Sequence, residues 1–179
     1  ELRQAFLLTN SAWISIALFG SLPFMFSQID MSFTDAIFES TSGITTTGAT
    51  VINNLDSTSH GILIWRALLQ WLGGVGIIVM ALAVLPMLSI GGMQLFKTES
   101  YETPDKVVPK AASFAAGISL VYISLTSIWA MMLWLAGMPI FDSIAHAMTT
   151  LATGGYSTRS DSLAAFGSSS IEIIVIFGM

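Results

Sequence analysis

The sequence predicts an all-α membrane protein built of repeated helix–re-entrant loop–helix units, and three observations carry that prediction. Lys and Arg number 6 and Asp and Glu 11, together only 9% of 179 residues, where soluble chains carry roughly 25%. The gaps between those charges are long enough for membrane helices. A Thr/Gly-rich segment also recurs at one fixed offset between the gaps. With 54% apolar residues and a mean hydropathy of +0.77, the chain cannot cover itself with a water-compatible surface, which excludes a soluble enzyme. Disorder is excluded by 11% aromatics and abundant Ile, Leu and Met, which bury too much surface to stay unfolded. A net charge of −5 offers nothing to phosphate backbones, so no nucleic-acid partner is expected. The absence of cysteine removes disulfide and thiolate chemistry.

The first element follows from the uncharged run Gln4–Ile29, the second from Ala67–Phe96 and the third from Ala111–Phe141. Each exceeds the ~20 apolar residues a membrane helix requires. A fourth apolar stretch begins near Ser170 and runs to Met179, about half a span. That half-span, with Glu1 in place of a start methionine, predicts a fragment of a longer chain. Lys97, Lys106 and Lys110 share the connector between the second and third spans, and Arg3 precedes the first. The positive-inside rule therefore predicts a cytoplasmic linker at 97–110, solvated and broken by Pro104 and Pro109.

Between the spans lies a repeat. Phe33–Thr50 aligns with Ile140–Ser157 at an offset of 107, pairing Asp35 with Asp142, Ile37 with Ile144, Thr46 with Thr153 and Gly48 with Gly155. Two crossings separate the copies, so both lie on one side of the bilayer and the repeats are parallel. Parallel copies suit rotation about the membrane normal, the arrangement of a pore, whereas inverted copies suit alternating access. Each copy reads as a short helix followed by a polar tract. Asp35 and Asp142 open those helices and are expected to cap free N–H groups there, with Ser32 completing a capping box in the first copy. The tract from Ser40 to Leu55 is uncharged yet too polar to cross lipid as a helix. Irregular backbone at that depth is tolerated only where it is buried in protein or lines a watery cavity.

Potassium channels build their filters from TVGYG loops whose carbonyls replace the hydration shell of the ion. Thr153-Gly154-Gly155-Tyr156-Ser157 is similar to that loop, and Thr46-Thr47-Gly48-Ala49-Thr50 is a looser relative. The candidate ion-binding residues are therefore Thr46, Thr47, Gly48 and Ala49 in the first copy and Thr153, Gly154, Gly155 and Tyr156 in the second. Gly48 and Gly155 stand where a backbone must adopt angles closed to residues with a Cβ.

The stretches ITTTGAT, IWRALLQWLGGVGIIVMALAVLPMLSIGGMQLFKTES and ATGGYSTRSDS closely resemble the Trk potassium-uptake family, within the wider superfamily that includes KtrB and the plant HKT transporters. The resemblance covers nearly the whole chain. It implies potassium-channel-like architecture: four helix–pore-loop–helix repeats around one pore, each giving one filter glycine, of which Gly48 and Gly155 would be two. Residues 1–96 would form the first repeat and 111–179 a truncated second. The later repeats, with their gating loop and constricting arginine, fall outside this sequence. The resemblance further implies a multi-pass protein of the bacterial inner membrane, a homodimer, and a TrkA-like cytosolic nucleotide-binding regulatory subunit as partner. Potassium would be the substrate, with no covalently bound cofactor. Glycine at Gly48 goes with potassium preference in the superfamily, where serine goes with sodium. One filter glycine per loop implies modest discrimination against sodium.

Other residues carry smaller expectations. Arg66, at the edge of the second uncharged run, is expected to snorkel to headgroups, and Arg159 to pair with Asp161. Glu172 is expected at the membrane interface. Trp65 and Trp71 fit either an interfacial belt or packing. The run Gly73-Gly74-Val75-Gly76 reads as close helix packing. His60 and His146 lack metal-ligand spacing, and no phosphate loop or nucleophile elbow is present, so no enzymatic activity is expected. The competing reading is an ion-coupled secondary transporter with alternating access, in which the Gly/Pro breaks of Ala67–Phe96 would unwind around substrate.

Overall fold

The computed structural model describes residues 2–88 and 107–179, and every regular element among them is helical. Helix α1 spans Leu2–Gly20 and runs through Ser21 into a single turn, α2, Leu22–Met25. Helix α3 is the short Phe33–Ile44, and α4 the long His60–Leu88. After the undescribed stretch, α5 runs from Val107 to Leu135, α6 is the short Ile140–Leu151, and α7 covers Ser169–Gly178. Single 3₁₀ segments at Leu55–Ser57 and Ser162–Phe166 complete the connections after each short helix.

Among the described residues, three segments are long and apolar enough to cross a membrane: Phe6–Met25, His60–Ile78 and Ala116–Leu135. The second begins earlier than the uncharged run Ala67–Phe96 predicts, because Arg66 sits inside the helix with its charge paired. Many apolar side chains of α1 and α5 point outward, with Leu8 74% and Leu135 74% exposed, as a lipid-facing surface requires. Most of the expected linker, 97–106, lies outside the described residues, as does Gly91-Gly92. Its last residues, 107–110, belong to the first turn of α5.

Each helix–short helix–helix unit has its own core. In the first, Phe24, Ala36, Ile52, Leu63 and Leu69 pack together, and Phe141 of the second unit leans against them. In the second, Leu133, Met138, Ala147, Ile171 and Val175 form the cluster. Helix α4 packs against both short helices. Two adjacent glycines permit this: a Cβ on Gly73 would run into the Ile44 carbonyl at the end of α3, and one on Gly74 would stand 3.1 Å from Ala152 Cα at the end of α6. Small residues let membrane helices approach this closely. The helix stays unbroken through Gly73, Gly74 and Gly76. Trp65 and Trp71 both serve packing: their indoles donate to the Gly20 carbonyl at 2.9 Å and to Thr126 Oγ1 at 2.9 Å, tying α4 to α1 and to α5.

Candidate functional site

The two polar tracts fold alike. Thr45 is the C-cap of helix α3, and the next residue, Thr46, turns left-handed with φ 56°. Ala152 is the C-cap of helix α6, and Thr153 turns left-handed with φ 52°. Both ends are closed by the same pair of hydrogen bonds. Thr47 N–H donates to the Ser42 carbonyl at 2.9 Å and Thr46 N–H to Gly43 at 3.0 Å; Gly154 N–H donates to Thr149 at 2.9 Å and Thr153 N–H to Thr150 at 2.9 Å. This is the Schellman closure of a helix C-terminus, which normally uses glycine at the left-handed position. Threonine there is an outlier, costing about 1–3 kcal/mol, and such conformations gather at functional sites. Two residues on, Gly48 (φ 78°) and Gly155 (φ 76°) repeat the left-handed turn.

The loops also meet. A Cβ on Gly48 would collide with the Gly154 carbonyl oxygen, whereas one on Gly155 would meet nothing within 4 Å. Among the described residues, the carbonyl oxygens of Thr46, Thr47 and Gly48, and of Thr153, Gly155 and Tyr156, accept no hydrogen bond. The other two candidate carbonyls are occupied. Ala49 accepts from Ser42 Oγ at 2.6 Å and from the Tyr156 hydroxyl at 3.3 Å, and Gly154 accepts from Gln70 Nε2 at 2.9 Å. Each tract thus presents a run of unpaired acceptors at the C-terminal, negative end of a short helix, an arrangement suited to a dehydrated cation.

The loops are held from behind by different side chains. In the first, buried Glu39 accepts from Thr50 Oγ1 at 2.9 Å and from Val51 N–H at 3.0 Å. At the matching place in the second, His146 Nε2 lies 3.1 Å from Ser157 Oγ, and its Nδ1 lies 2.8 Å from the Asp142 carbonyl. Arg66 lies between them. It does not snorkel; it is 1% exposed. Its Nε donates to Glu39 at 2.7 Å, its Nη1 to the Ser157 carbonyl at 3.0 Å, and its guanidinium lies 4.0 Å from the centre of the Tyr156 ring. The Tyr156 hydroxyl in turn donates to the Glu39 carbonyl at 2.9 Å. Tyr156 therefore faces the protein, and only its backbone is available to an ion.

The two helix-opening aspartates have separate fates. Asp35 completes a capping box with Ser32, with hydroxyl and carboxylate 2.7 Å apart. Asp142 makes no capping hydrogen bond, because Pro139 stands where the first copy has Ser32 and offers no side-chain partner. Its carboxylate instead accepts from Thr158 Oγ1 at 2.6 Å and Arg159 Nη2 at 2.8 Å. Arg159 thus pairs with Asp142 rather than its neighbour Asp161, and lies 3.8 Å from Asp56 across the loops. Hydrogen bonds from the Ser160 hydroxyl and backbone hold the Asp56 carboxyl below the ordinary carboxylate range, with Arg159 adding to the effect. Glu172 lies exposed in the first turn of α7.

Sequence reasoning places Glu39 opposite His146, both as pore-helix packing or vestibule residues, without its ion pair to Arg66, and it misses Gln70. Glu39 differs in type from its repeat partner His146, and Gln70 lies amid an apolar helix with no local partner. A polar side chain on a membrane helix that is otherwise apolar was the only available signal for Gln70.

The model of the TrkH family, described as cation transport protein, matches residues 1–179. The Trk system potassium uptake protein TrkH of Salmonella typhimurium is 46% identical over 176 residues, covering 97% of this chain and 36% of that protein. TrkI of Halomonas elongata is 45% identical over 163 residues, covering 91% of this chain and 33% of that protein. The crystal structure of the potassium transporter TrkH from Vibrio parahaemolyticus superposes with a TM-score of 0.85 at 41% identity, over 99% of this chain and 35% of that one. The chain thus spans about a third of the length of the relatives it matches. With the family model matching from end to end, the chain belongs to the TrkH family of cation transport proteins.

Proposed function

We propose that this chain supplies two filter segments of a potassium-conducting pore in a Trk-type uptake system. The observation that carries the reading is the identity of backbone path in the two loops: a left-handed threonine, then a left-handed glycine, at the same offset and in contact. The unpaired carbonyls of Thr46, Thr47 and Gly48, and of Thr153, Gly155 and Tyr156, replace water around K⁺. Those of Ala49 and Gly154 anchor the loops. The relatives' names, potassium uptake proteins, favour K⁺ as the cargo. An unbroken α4 supports a pore over a carrier whose helices unwind around substrate.

Residues 1–96 and 111–179 then act as two parallel repeats joined by a cytoplasmic linker at 97–110, in the inner membrane. The complete protein works as a homodimer with a TrkA-like cytosolic nucleotide-binding subunit. The test is a reversal potential in a K⁺/Na⁺ gradient for a full-length protein carrying this segment, before and after Gly48→Ser. Loss of K⁺ preference with surviving current supports the filter. Unchanged selectivity, or saturable transport without channel-like current, contradicts it.

A further inference from the structure

Both hydrogen bonds of the Gln70 amide go to the second loop, on either side of Gly155. Its Nε2 donates to the Gly154 carbonyl at 2.9 Å, and its Oε1 accepts from Tyr156 N–H at 3.2 Å. The side chain is fully buried, and a Cβ on Gly154 would overlap the amide. The Tyr156 N–H and the Gly155 carbonyl belong to one planar, trans peptide, so they point in opposite directions. Holding the N–H against Gln70 therefore turns the Gly155 carbonyl away from α4. Holding the Gly154 carbonyl likewise turns the Gly155 N–H away. One turn earlier on the same face of α4, Arg66 holds the Ser157 carbonyl at 3.0 Å.

We propose that Gln70, assisted by Arg66, is a positioning residue for ion selectivity: a side chain of the first repeat that sets the direction of the Gly155 carbonyl in the second. This rests on the filter reading of Gly48 and Gly155 and adds a determinant outside both loops. A residue needed only to join helices would bond helix to helix, as Trp71 does with Thr126. Gln70 bonds only to loop backbone. With both of its bonds removed, the Gly155–Tyr156 peptide is free to rotate, and the site loses its distinction between ions.

The test uses a full-length protein carrying this segment, with Gln70→Met, Gly48→Ser and Trp71→Phe compared by reversal potential in mixed K⁺ and Na⁺. Gln70→Met removes two hydrogen bonds, each with a net worth of about fivefold, so a fall of about tenfold or more is expected in the K⁺/Na⁺ permeability ratio. Trp71→Phe is expected to leave the ratio unchanged. If Gly48→Ser lowers the ratio and Gln70→Met does not, the filter stands and the positioning role is overturned. If neither changes it, the filter reading itself falls. Equal losses in Gln70→Met and Trp71→Phe would reduce Gln70 to general packing and overturn the proposal. Should Gln70→Met fail to reach the membrane, Gln70→Asn, which draws the amide back by one methylene, is read by the same criteria.

Discussion

The first loop is held mainly by its own short helix, whereas the second is held by its own short helix, through His146 and Asp142, and also by side chains of the first repeat. Ser42 and Glu39 reach Ala49, Thr50 and Val51 within the same helix–loop unit. Gly154, Tyr156 and Ser157 are held by Gln70 and Arg66, across 84 to 91 residues of sequence. The backbone paths nonetheless agree to within a few degrees of φ at both left-handed positions. The lesson is that the path is the shared requirement and the side chains behind it are free to differ. The clamp is also one-sided. The stretch Ile173–Phe177 of α7, which follows the second loop as the Arg66–Gln70 part of α4 follows the first, has no polar side chain.

The comparison breaks most severely at the ion pair both loops share. Arg66→Met leaves the Glu39 carboxylate buried with its charge unpaired, and removing one partner of such a pair costs about 3–5 kcal/mol. Thermal unfolding of purified protein in detergent should show this loss, and the double variant Glu39→Gln/Arg66→Met should recover part of it. The glycines come next. Gly48→Ala adds a clash with the Gly154 carbonyl to the left-handed penalty, whereas Gly155→Ala meets open space. The second substitution should cost about 1–2 kcal/mol and the first clearly more; equal losses would mean that the loops do not touch as described.

The helix starts differ more gently. Ser32→Ala removes a capping box worth about 1 kcal/mol. Pro139→Ser should gain less than that, because Asp142 is already engaged by Thr158 and Arg159. Arg159→Ala removes the charge facing Asp142, whose carboxylate is 3% exposed although the Arg159 side chain is 38% exposed. Thr158 Oγ1 still donates to that carboxylate, so the loss should stay below that of Arg66→Met and shrink at high salt.

What was legible in the sequence was whatever left a local mark. The offset of 107 shows in Thr46/Thr153 and Gly48/Gly155 because backbone geometry constrains residue type at those positions. The Asp35 cap shows because Ser32 lies three residues before it. Partners distant in sequence left no such mark. Arg66 reads as the boundary of a span because its counter-charge, Glu39, lies 27 residues earlier on another helix. Arg159 reads as a partner of nearby Asp161 because Asp142 comes beside it only when the second loop folds back along α6. Gln70 has no periodic or local partner at all, since both of its bonds go to a loop 84 and 86 residues away.

That carbonyls from both loops face one ion path can be checked by locating the ion. Crystals of a full-length protein carrying this segment, soaked with thallium as a potassium substitute, would give anomalous peaks at the occupied sites. Peaks are expected within coordination distance of carbonyls both of Thr46–Gly48 and of Thr153, Gly155 and Tyr156. Peaks elsewhere in the protein, or beside one loop alone, would contradict it.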